Sequence, residues 1–130
     1  MPHIIVEYSK NLNSALDVEA LVEALHVAAM GLEALPTGGL RTRAHQAGIA
    51  RIGDGEPSRN FIYLTVRLGQ GRSSEVKRDI GDKLFSVLTG FTADHFDAGN
   101  GLSLGLEIQE IEKDWTWKKN NIHQILKDEN

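Results

Sequence analysis

A chain of 130 residues with 41% hydrophobic and 25% charged side chains can bury one core but is too short for two large lobes. Its 14 basic and 18 acidic residues leave a net charge of −4, without the positive field that draws nucleic acid, and the absence of cysteine excludes disulfides, thiolate metal sites and a cysteine nucleophile. The run Ile4-Ile5-Val6 is cut by Glu7, and the longest apolar stretch, Leu21 to Leu35, carries Glu23, His26 and Glu33. Neither reads as a signal core or a membrane span, so a cytoplasmic location with no membrane contact is the default expectation.

Residues 2–9 alternate, with Ile4, Val6 and Tyr8 on one face and His3, Ile5 and Glu7 on the other, as a strand does. Pro2 suits the first position of a strand, where its missing N–H costs little. It also has a chemical reading. Removal of Met1 would turn the Pro2 ring nitrogen from an amide into a secondary amine, a candidate general base.

A helix is predicted next, announced by Ser14 and Asp17 in a box-like start and carried by Val18, Leu21, Val22, Leu25, Ala28, Ala29, Leu32 and Leu35, until Pro36 and Gly38-Gly39 end it. Leu40 to His45 reads as a short strand and 46–60 as a long loop or hairpin. The pattern then repeats. Ile62, Leu64, Val66 and Leu68 alternate in a second long strand closed by Gly69-Gln70-Gly71, and Ser73 or Ser74 caps a helix striped by Val76, Ile80, Leu84, Val87, Leu88 and Phe91. After Gly99-Asn100-Gly101, Leu102 to Ile108 form a fourth strand.

The expected fold is therefore α/β (α+β): two βαβ units, about 2–45 and 60–111, in one domain spanning 1–130. Right-handed crossovers place their strands in a four-stranded mixed sheet with both helices on one face. Ile5, Phe61 and Tyr63 leave the other face apolar enough to need a cover, and oligomerisation supplies the simplest one. Residues 112–130, which hold Trp115 and Trp117, read as an arm reaching a neighbouring subunit.

Among side chains that could carry chemistry, Arg41, Arg43 and His45 project from one strand face, either as a binding row or as a solvated edge that discourages strand pairing. Arg72 follows a glycine turn at a helix start, where backbone N–H groups and the helix dipole favour a carboxylate or phosphate; a plain exposed turn is the alternative. His26, His95 and His123 show no metal-ligand spacing. Ser73-Ser74 lacks a nucleophile elbow, and Gly69-x-Gly71 is no dinucleotide fingerprint.

Taken together, an N-terminal proline on the first strand, doubled βαβ units and these arginines resemble the tautomerase superfamily. The segments Pro2 to Ser9, Gly39-Leu40-Arg41-Thr42-Arg43-Ala44-His45, Gly69-Gln70-Gly71-Arg72-Ser73 and Lys119-Asn120-Asn121-Ile122-His123 are similar, in order, to the 5-carboxymethyl-2-hydroxymuconate Delta-isomerase family. That resemblance implies a homotrimer and a cofactor-independent isomerase of homoprotocatechuate catabolism. It implies Pro2 as the catalytic base, and Arg41, Arg43 and Arg72 as ligands of a dienol bearing three carboxylates. Two rivals stay open: a dehalogenase or decarboxylase in which Glu7 or Glu107 activates water beside a cationic proline, and a non-enzymatic trimeric binding protein.

Overall fold

The computed structural model describes residues 1–130. Four strands, β1 (His3–Ser9), β2 (Arg41–Ala47), β3 (Asn60–Gly69) and β4 (Leu102–Ile111), form one sheet in the order β2-β1-β3-β4. β1 runs parallel to β2, β3 runs parallel to β4, and the two pairs meet antiparallel along β1 and β3. The expected tandem βαβ arrangement and mixed sheet are thus present.

Register decides which side chains enter the core. Ile4 lies between Thr42 and Val66, and Val6 between Ala44 and Leu64, so every second residue of β1 and β3 points to the same side. On that side pack α1 (Val18–Met30) and α2 (Ser74–Phe91), which contribute Leu21, Leu25, Ala29, Ile80, Leu84 and Leu88 to a buried cluster with Ile4, Val6, Ile62, Leu64, Val66 and Leu68. Burying each Val, Leu or Ile side chain among them is worth roughly 1.5–3 kcal/mol over leaving it in water.

Element boundaries differ from the sequence reading at several points. α1 starts from Asp17 alone, whose carboxylate accepts the Ala20 N–H at 3.0 Å, while the Ser14 hydroxyl donates to the Asn11 carbonyl inside a separate 3-10 turn, Lys10–Ser14. α1 also stops at Met30 and not Leu35. The apolar spacing continues because the turn that follows, closed by Leu35 N–H on the Leu32 carbonyl, still buries Leu35. β2 runs on to Ala47 and β3 begins at Asn60, which shortens the expected loop to residues 48–59, and β4 runs on to Ile111. Ser73 is the cap of α2, accepting from Val76 N–H at 3.1 Å. A short helix, α3 (Ala93–Asp97), was not expected; Thr92 leaves helical geometry there, and its hydroxyl donates to the Leu88 carbonyl.

The arm is ordered by contacts within its own chain. Its distal part forms α4 (Ile122–Asp128) and folds back on its own chain, against the 3-10 turn Thr37–Gly39 that leads into β2. Trp115 and Trp117, before α4, stay 72% and 86% exposed. The helix-free face of the sheet keeps Ile5, Phe61 and Tyr63 half-buried, with the Tyr63 ring over Gly105, where a Cβ would come within 2.6 Å of it.

The capping assignment is directly testable. Asp17→Ala should cost about 1 kcal/mol in urea unfolding, whereas Ser14→Ala should change it by less than about 0.5 kcal/mol.

Candidate active site

The first residues of β1 and the turn before β2 meet at one end of the sheet. The Arg41 N–H donates to the Pro2 carbonyl at 3.0 Å, extending the β1–β2 ladder back to Pro2. Beside it Gly39 approaches so closely that a Cβ there would lie 3.4 Å from Pro2 Cδ and 3.5 Å from His123 Nε2. A cleft of about 400 Å³ opens over this junction, lined by Met1, Pro2, Pro36, Gly39, Arg72, Lys118, Asn120 and His123. None of these eight residues is acidic.

Arg72 is held firmly. Nε and Nη2 donate to the Ala34 carbonyl at 3.1 and 2.8 Å, and Nη1 donates to the Gly69 carbonyl at 3.2 Å. Three of five guanidinium N–H groups are thereby used, leaving one on each terminal nitrogen, the number a bidentate carboxylate requires. The turn Gly69-Gln70-Gly71 makes this possible, because Gly71 takes φ +121°, a conformation that L side chains rarely adopt.

The two strand arginines diverge although they share a face. Arg41 turns toward the start of its strand, donating to the Gly39 carbonyl at 2.8 Å. Arg43 instead reaches across to His3, whose Nδ1 accepts from Nη1 at 3.1 Å on the helix-free face of the sheet. Arg72 thus lines the cleft, Arg41 flanks it, and Arg43 lies outside it. Lys118, Asn120 and His123 also line it and are not among the expected site residues; for Asn120 and His123 the signal is the Lys119 to His123 segment, which carries the family resemblance but no assigned chemistry, and nothing in the sequence marks Lys118.

The electrostatics follow the geometry. The α-amine at Met1 titrates below its ordinary value of 8.0, first because burial penalises its charged form, then through Lys118, Arg72 and Arg41 in that order. His3 is pushed down in the same way, by burial first and then by Arg43, Arg41 and Arg67. The two carboxylates considered as water activators stand elsewhere: Glu7 is exposed farther along β1, opposite His45 and Tyr63. Glu107 accepts hydrogen bonds from Tyr63 Oη at 2.5 Å and Gln109 Nε2 at 2.6 Å. These bonds hold the Glu107 carboxyl below its ordinary range and raise the Tyr63 hydroxyl. Neither carboxylate lines the cleft, so nothing in the geometry favours the dehalogenase or decarboxylase reading.

A larger hollow of about 470 Å³ lies at the other end of β1, under the loop 48–59. Its lining differs in carrying an acidic side chain, Glu56, which is bridged to Arg59 at 3.1 Å.

The chain has the tautomerase fold and matches a 5-carboxymethyl-2-hydroxymuconate isomerase from Deinococcus radiodurans R1 with a TM-score of 0.88 and 40% identity, covering 96% of this chain and 93% of that one. A fused 4-OT wild-type symmetric trimer shares the fold at a TM-score of 0.61 and 19% identity, over 85% of this chain and 86% of that one. The 5-carboxymethyl-2-hydroxymuconate Delta-isomerase of Escherichia coli is 30% identical over 130 residues, covering 98% of this chain and all of that protein. The family model for 5-carboxymethyl-2-hydroxymuconate isomerase matches residues 2–126, and the chain belongs to that family. It is an enzyme of the isomerase class.

A pH test follows from His3. Its depressed pKa means that the folded chain binds fewer protons than the unfolded chain just below pH 6.5. Its contribution to stability is therefore intact above 6.5 and is lost as pH falls through the lower folded value. His3→Gln should flatten that part of the stability profile, measured by urea unfolding between pH 5 and 8 relative to wild type.

Proposed function

We propose that the chain isomerises 5-carboxymethyl-2-hydroxymuconate to its conjugated 2-oxo form in homoprotocatechuate catabolism, with Pro2 as the base once Met1 has been removed. The carrying observation is a cleft at the head of β1 that gathers Arg72 and Lys118 at Pro2, has Arg41 at its edge, and contains no acidic side chain.

With Met1 attached, the Pro2 nitrogen is an amide and has no basic lone pair. Its carbonyl is nevertheless already fixed by the Arg41 N–H, so a freed Pro2 amine would start from a rigid strand and a ring that cannot rotate. The burial and the three cations that depress the Met1 amine would surround it too and would act on its pKa in the same downward direction.

The reaction then needs one base. The amine takes the enol O–H proton at C2, the oxygen electrons form the ketone, the C2–C3 double bond shifts to C3–C4, and the electrons of C4–C5 accept the proton at C5. The same ammonium returns that proton, so the balance closes without any further reactant. The two free N–H groups of Arg72 and the charge of Arg41 offset the negative charge that gathers on the dienolate and its carboxylates. Arg43, tied to His3 outside the cleft of its own chain, belongs to substrate binding only if a second subunit brings the two together. Assembly as a homotrimer is part of the proposal: the helix-free sheet face with Ile5 and Phe61 half-buried needs a cover, and a fold relative is a trimer.

Two measurements test the mechanism. Chain lacking Met1, checked by intact mass, should ketonise the dienol with a rate that rises with pH through one ionisation below the usual α-amino range of about 7.7–8.0. Chain that keeps Met1 should be folded and nearly inactive; equal rates would place the base elsewhere. Arg72→Ala should lower kcat/KM by about 2–4 kcal/mol in transition-state stabilisation. Light scattering should report three protomers, and a stable monomer would remove the trimer from the proposal.

A further inference from the structure

Lys118 has no ion-pair partner. The three salt bridges of the chain engage Arg59 and Lys77 with Asp54, Glu56 and Glu110, and no carboxylate lies among the residues lining the cleft with Lys118. An unpaired ammonium facing a carboxylate-free cleft is a standing site for an anion.

Its place there is built by contacts on either side of Gly38. Asn120 Nδ2 donates to the Gly38 carbonyl at 2.8 Å, while Asn120 Oδ1 accepts the Ile122 N–H at 2.7 Å and so ties the start of α4 to the same point. His123 sits on Gly38 so closely that a Cβ there would come 2.5 Å from its Nδ1 and 2.9 Å from its Cα. A side chain at position 38 would therefore push the arm off the turn, and Lys118 with it.

We infer that Lys118 binds the carboxymethyl carboxylate of the substrate and is the residue that selects a tricarboxylate over a dicarboxylate dienol. The inference rests on the isomerase reading above and assigns one group within it. Two of the three carboxylates are conjugated with the dienol and lie in its plane, which matches the flat fork of an arginine. The third hangs on a CH₂ and turns out of that plane, which matches a compact ammonium on a flexible stem. Asn120, His123 and Gly38 are positioning residues: they hold the arm, and Lys118 touches the ligand.

The test compares 5-carboxymethyl-2-hydroxymuconate with 2-hydroxymuconate, which lacks the carboxymethyl group, in wild type, Lys118→Gln, Lys118→Arg and Gly38→Ala, all lacking Met1. Lys118→Gln should lower kcat/KM for the tricarboxylate by about 10- to 100-fold, mostly through KM, and change it for the dicarboxylate by less than about threefold. Lys118→Arg should recover most of the loss. Gly38→Ala should shift the ratio of the two substrates in the same direction, with thermal melting showing that the domain remains folded. Equal losses on both substrates, or none on the tricarboxylate, would overturn the role of Lys118 while leaving the isomerase reading in place. An unshifted ratio in Gly38→Ala would overturn the positioning role. Wild type inert toward both substrates would overturn the isomerase reading and this inference with it.

Discussion

Hydrogen bonding along both edges of β1 is the constraint from which the site follows. A strand with one free edge could fray at its first residues, as chain termini do. Here the ladder with β2 reaches back to the Pro2 carbonyl, and the ladder with β3 pairs His3 with Arg67. The head of the chain is thereby held at a set distance from the turn Thr37–Gly39, from Arg72 at the entrance to α2, and from the arm that lies across both. Core packing supports this from below, because Ile4 and Val6 leave no register for β1 other than the one that buries them.

The charge distribution is the second constraint. The chain is acidic overall, yet the cleft gathers cations without counter-ions, a local arrangement that opposes folding slightly and favours an anionic ligand strongly. Arg72 reduces the difficulty by spending three N–H groups on backbone carbonyls that would otherwise need partners at the end of the α1–β2 connection and of β3. The same bonds leave its remaining two donors preset, so little side-chain freedom is lost when a carboxylate arrives.

The glycines at 38 and 39 connect these two constraints. Without side chains, they let Pro2, His123 and Asn120 approach one backbone turn within van der Waals distance, and the arm closes over the head of β1 in consequence. Trp115 and Trp117, upstream of α4, stay exposed and take no part in this closure.

Much of the architecture was legible in residue order, because period-2 and helical spacing of apolar residues is imposed by which faces must leave water. The alternation in β1 and β3, the stripes of α1 and α2, and the parallel pairing within each βαβ unit all came from that requirement, and the glycine turn before Arg72 marked the start of α2. Spacing could not show where helices end in a buried turn, as at Met30, since Leu35 is buried whether or not the backbone is helical. Nor could it separate Arg41 from Arg43, which share a face but find partners on different neighbours, Gly39 and His3. Lys118 and His123 were out of reach for a similar reason. Their relation to Pro2 spans almost the whole chain and arises only where the arm docks on a turn without side chains. The sequence by itself determined the strands, the helices and the residue types available for chemistry; the tertiary structure alone decided which cations face Pro2, because that depends on long-range contacts which carry no periodic signal.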